Sequence, residues 1–130
     1  MTCAGLACIS VASRHTEGKE KLAGARTAIQ HATQWLTEHF TLKANPPATD
    51  QGTGLWHFYY LYDLERAARL AGLAKFGDHD WRREGAGLLL DAQNLASGAW
   101  LGSGHAEGDD PVISTSLALL FLRPAPLEAR

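Results

Sequence analysis

The stretch LLLDAQNLASGAW, residues 88–100, reads as the last turns of an amphipathic helix, then a glycine turn, then a tryptophan. Gln93 stands where a helix leaves backbone groups without partners, and its amide can satisfy some of them. Trp100 follows Gly98 by two, so an indole can fold back over that amide with its apolar body buried. Leu88 and Leu89 place two apolar side chains on the helix just before.

Working outward, the helix that ends here starts near Trp81, behind Asp78 and Asp80, either of which can cap it. Its expected span is 81–96, with an apolar stripe at Trp81, Gly85, Leu88, Ala92 and Leu95. An earlier segment, 19–40, has a similar stripe at Leu22, Ala25, Ile29, Ala32, Leu36 and His39, opposite Lys21, Arg26, Gln30, Thr33 and Thr37. Asn45-Pro46-Pro47 closes it off. Three further helices are nearly apolar all round. One covers 2–13. The next covers 55–72, where Leu55, Trp56, Phe58, Tyr59, Leu61, Tyr62 and Leu64 leave almost no polar face, Glu65 and Arg69 are spaced for an i,i+4 pair, and Gly72 marks the end. The last starts at Asp110-Pro111, a cap followed by proline at the first helical position, and ends before Pro124.

The segments repeat. Leu6, Leu61 and Leu117 take equivalent places in the apolar helices, and stripe positions 25, 29, 32, 36 and 39 map onto 81, 85, 88, 92 and 95. A period of 55–56 residues with two helices per unit signals stacked helical hairpins. The alternation of helices buried all round with helices buried on one face predicts an all-α chain arranged as part of an α/α toroid. About two and a half repeats fit in 1–123, followed by a tail at 124–130.

The pattern Leu88-Leu89, Gln93, Gly98, Trp100 resembles the QW motif of squalene–hopene and oxidosqualene cyclases, whose toroid is shared by the β subunits of protein prenyltransferases. Gly5-Leu6, the stretch Tyr59-Tyr60-Leu61-Tyr62 to Arg66, and the helix after Asp110-Pro111 look like bacterial proteins with repeats of this type. In the earlier hairpin Trp35-Leu36 can match Leu88-Leu89, but Phe40 stands where the glutamine belongs and Asn45-Pro46-Pro47 replaces the Gly-x-Trp end. The resemblance implies one full motif and one degenerate copy, with a structural role for the motif between hairpins.

The chemistry that the resemblance implies is not visible in the residues. The acidic Asp-x-Asp-Asp tetrad of the cyclases is absent. Asp78-His79-Asp80 sits at the start of an outer helix, where capping accounts for it. The zinc ligands of prenyltransferases, an Asp-x-Cys with a distant histidine, are absent too. The cluster His105, Glu107, Asp109, Asp110 offers nitrogen and oxygen donors, but a solvated glycine-rich turn is the simpler account, and no metal or other cofactor is expected. His15, His31, His39 and His57 show no partner spacing. No nucleophile-elbow, zincin or phosphate-loop pattern occurs. Trp56, Tyr59, Tyr60 and Tyr62, with Asp110 at the start of an inner helix, are the candidate cavity lining. Aromatic faces there can stabilise a cation, or simply fill space between helices.

Composition narrows the remaining classes. A 45% hydrophobic and 20% charged chain has the makeup of a folded domain, and a formal charge of -2 gives no field for nucleic acid. Cys3 and Cys8 point about 140° apart on a helix, which disfavours a disulfide between them. The apolar start lacks the charged flank of a signal peptide and is too short to span a membrane. If Met1 is the native start, the cytoplasm is the default. The expected role is a segment of a squalene-cyclase-like repeat protein without catalysis of its own. The alternatives are a helical-repeat binding or scaffolding module, and a terpenoid cyclase whose acid lies outside this chain. A partial ring exposes apolar edges, so the expected partners are missing hairpins, another copy of the chain, or an apolar ligand.

Overall fold

In a computed structural model, residues 2–46, 56–102 and 110–123 are described. They form five helices: α1 (Thr2–Arg14), α2 (Lys19–Glu38), α3 (His57–Ala71), α4 (Trp81–Ala92) and α5 (Pro111–Leu122). The all-helical expectation holds for these residues, whose one extended pairing is an isolated bridge between Phe76 and His79 in the α3–α4 turn.

Each boundary has a local cause. Gly72 adopts φ +70° just past α3, and the N–H groups of Gly72 and Leu73 return to the carbonyls of Arg69 and Ala68. This left-handed stop is one that glycine makes without a Cβ clash. Asp80 caps α4 by accepting from the Arg83 N–H at 3.0 Å, so of the two aspartates expected there Asp80 is the cap. Asp110 caps α5 by accepting from Val112, with Pro111 in the first turn. α4 is shorter than expected. It ends at Ala92 because Asn94 Oδ1 accepts from the N–H groups of Ala96 and Ser97, bending the chain into a turn. Leu95 is consequently 91% exposed and Ala92 is also exposed, so the buried side of α4 is Trp81, Gly85 and Leu89, with Leu88 half-buried. In α2 the expected stripe is half-buried and only Leu36 is fully so, while His39 lies past the helix end and is exposed.

α3 is the middle of the molecule. It packs against α1 on one side and α5 on the other, while α2 packs on α1 and α4 touches both α3 and α5. The direction of each helix follows from which ends meet. Arg14, the last residue of α1, donates to the carbonyl of Leu70 near the end of α3, so α1 and α3 run parallel. Trp81 at the start of α4 meets Phe121 at the end of α5, edge to face at 6.0 Å, so those two are antiparallel. The Trp81 indole donates to the Leu73 carbonyl just past α3. The result is a row α1–α3–α5 of one direction, with α2 and α4 as the returning strokes.

The core runs along this row. Leu6, Leu61, Leu64, Ala67, Ala68, Phe76 and Leu89 are essentially out of water, and each large side chain among them contributes roughly 1.5–3 kcal/mol. In α5 Ser114, Ala118 and Phe121 are buried and Leu117 is only half-buried, so the buried residue beside that position is Ala118, one residue off the Leu6–Leu61–Leu117 spacing. At Gly85 the backbone of α4 lies against the Phe121 ring of α5, and an added Cβ would overlap that ring.

Candidate functional site: a hairpin junction and an interhelical cleft

The residues of 88–100 meet as one unit. Leu89 is fully buried. Its carbonyl would normally accept from the Gln93 N–H, but that N–H turns to Leu90 instead at 3.4 Å. The Trp100 indole N–H takes the vacant place, donating to Leu89 O at 2.7 Å from a ring that is itself buried. Gln93 Nε2 donates to the Gly98 carbonyl at 2.8 Å, so its amide closes the turn rather than covering the helix end. Gly98 adopts φ +72°, and Asn94 exchanges backbone bonds with Gly98 and Ala99 across the turn. The next helix is fastened on as well: the Trp100 N–H donates to Thr115 Oγ1, at 3.1 Å, on the first turns of α5. Every group here serves to hold α4 to α5.

The candidate cavity residues divide. Tyr59 and Tyr60 both border a small cleft with Thr2, Cys3, Trp35, Leu36 and Asp63. Tyr60 is buried, and its hydroxyl donates to the Thr41 carbonyl at 2.8 Å, which makes it a strut between α3 and the loop after α2. Burial raises its pKa further above the ordinary phenol range. Tyr59 is 49% exposed, and it also borders a second, larger cleft between α1 and α3 of about 410 Å³. Trp56 stands at φ +60°, the one non-glycine residue with positive φ among those described, and its ring meets Tyr59 edge-on at 6.5 Å. Tyr62 is half-buried, and Asp110 is exposed as the cap of α5. His105, Glu107 and Asp109 lie outside the described residues. Among the described residues no three His, Cys, Asp or Glu side chains are placed to hold a metal ion, and no helix is long and apolar enough to cross a membrane.

The larger cleft brings in residues that sequence reading passed over. Ala4, Ala7, Cys8 and Val11 of α1 face Tyr59, Asp63 and Arg66 of α3. Asp63 is half-buried, and desolvation raises its pKa above the ordinary carboxylate value, with Arg66 pulling the other way. Cys3, buried nearby, has its thiol pushed up to about 12, first by burial and then by the Asp63 charge. The signal was an acid inside an aromatic helix, one turn from both Tyr59 and Arg66, in a segment read for its rings. Glu65 is a second case. It pairs with Arg69 at 3.1 Å as its spacing predicts, but its side chain is fully buried and Oε2 has no hydrogen-bond partner among the described residues. The Arg69 guanidinium offsets part of that desolvation.

The chain matches no protein-family model, no curated protein and no solved structure.

Proposed function

We propose that this chain is a structural segment of a squalene-cyclase/prenyltransferase-like helical-repeat protein, an α/α toroid in part, with no catalysis of its own. The observation that carries this reading is the α4–α5 junction. Gln93, Gly98 and Trp100 are spent on closing a turn and completing a helix end, and Thr115 binds the result to the next helix. A motif used this way is scaffold. The row of parallel helices α1, α3 and α5 supports the same reading, because a two-helix repeat returns its first helix to the same direction each time. The aspartates at the helix starts are engaged as caps: Asp80 holds the start of α4 and Asp110 the start of α5.

Incubation of the purified chain with squalene, followed by analysis of the extracted lipids, tests this directly. No cyclic product is expected, and turnover by the chain alone overturns the reading. A second reading, a binding module for an apolar ligand, is favoured by one observation: the α1–α3 cleft, floored by alanines and walled by Val11 and Tyr59, is open to solvent. A saturable change in tryptophan fluorescence on adding a long-chain alkyl ligand, lost in Tyr59→Ala, would support that module over a bare scaffold.

A further inference from the structure

The α1–α3 cleft carries two opposite charges side by side. Asp63 and Arg66 both line it, and neither makes a hydrogen bond or an ion pair among the described residues. Asp63 is half-buried, so its carboxylate has lost part of its water. Burial raises its pKa, while the positive charges of Arg66 and the chain's amino terminus oppose the shift without reaching contact. Arg66 is exposed, and its guanidinium donors are open to a ligand.

The charges follow an apolar stretch along the helix axes. α1 and α3 run parallel with Arg14 beside Leu70, so Ala4 lies about level with Tyr59, Ala7 and Cys8 with Asp63, and Val11 with Arg66. Up the cleft come first the apolar space between Ala4 and Tyr59, then an acid, then a base about 4.5 Å further along the axis. A lone cation drawn to Asp63 meets Arg66 one turn on, and a lone anion drawn to Arg66 meets Asp63. Only a ligand bearing both signs close together escapes that opposition. Its apolar part has room toward Ala4 and Tyr59, in a cleft of about 410 Å³, which is the size of a small-molecule pocket.

We propose that the cleft binds a free amphiphilic α-amino acid, with its ammonium on Asp63, its carboxylate on Arg66 and its apolar side chain over Ala4 and Ala7 against the Tyr59 ring. This rests on the reading of the cleft as a binding surface, and adds the head group that such a surface selects.

Cys8 stands on the cleft wall and is exposed, so its labelling by a maleimide reports occupancy in the full chain, while buried Cys3 stays silent. At neutral pH 2-aminodecanoate is expected to slow Cys8 labelling saturably, and calorimetry should give the same affinity without using the thiol. Nonylamine lacks only the carboxylate and decanoate only the ammonium. Each should need a concentration higher by about threefold or more. Arg66→Gln is expected to erase the advantage of 2-aminodecanoate over nonylamine, and Asp63→Asn its advantage over decanoate. If the three ligands bind alike and neither variant changes their order, the cleft takes apolar chains without reading a head group. That result overturns the proposal and leaves the binding reading standing, whereas no binding of any of the three overturns both. Should a variant lose helicity, the three ligands on the unaltered chain still decide.

Discussion

The ends of α2 and α4 do the same job with different chemistry. After α4, the Trp100 indole covers the Leu89 carbonyl, Gln93 closes the turn, and Thr115 of α5 holds the tryptophan backbone. After α2 the bonds among the described residues come from the other direction. Tyr60 and His57 of α3 reach back to the carbonyls of Thr41 and Leu42, at 2.8 and 2.7 Å. His39 stacks on Trp35 at 4.3 Å with its Nδ1 on the Trp35 carbonyl. Phe40, in the place of the glutamine, stacks on His79 at 4.4 Å and so ties the end of α2 to the α3–α4 turn. The end of α2 is thus fastened without the glutamine and indole bonds used after α4. What is retained is the coverage of open carbonyls at the junction, whichever helix supplies the donor.

Deleting the centre of each junction is the sharpest way to break this comparison. Trp100→Ala removes a buried ring and uncaps Leu89 together, and should cost about 3–5 kcal/mol in chemical denaturation. A loss below about 1 kcal/mol would mean that the α4 turn does not depend on its indole. Tyr60→Phe keeps the ring and removes one hydrogen bond from the α2 side, so a loss of about 1 kcal/mol is expected, followed by Gln93→Ala at about 0.5 kcal/mol because its bond is exposed. Reversal of that order would make the amide, rather than the tyrosine strut, the stronger of the two fasteners.

The smallest effect concerns Asp63 and depends on pH. Its folded pKa lies above the ordinary value of 3.8, so the folded chain is penalised whenever the carboxyl is ionised. The penalty is complete above the folded pKa and vanishes below the unfolded one. Asp63→Asn should accordingly raise Tm at neutral pH, with the gain fading as pH falls toward 3.8; a gain that grew on acidification would contradict the assigned cause.

Helix existence was legible in the residues, because apolar spacing and caps such as Asp80, Asp110 and Gly72 act locally. The end of α4 was not. Residues 93–96 keep the apolar period through Leu95, and only the Asn94 side chain, bonding two residues ahead, reveals that the helix has stopped. The cleft was half legible. Tyr59 and Tyr60 could be picked out as aromatics, but Asp63 enters only once α1 lies against α3, and no periodicity within one helix announces which neighbour will cover it. Composition misled most at α5, whose uniform apolarity suggested burial all round although only one face has a partner among the described residues.

The two thiols of α1 have a practical consequence. Cys8 is exposed, while Cys3, just over one turn earlier, is buried with its thiol pushed up to about 12. A maleimide therefore labels Cys8 in the native chain and reaches Cys3 only when α1 lifts away from α2 and α3. With Cys8 blocked first, the rate of Cys3 labelling becomes a stopwatch for the opening of one helix, read at a single atom while the rest of the molecule stays folded.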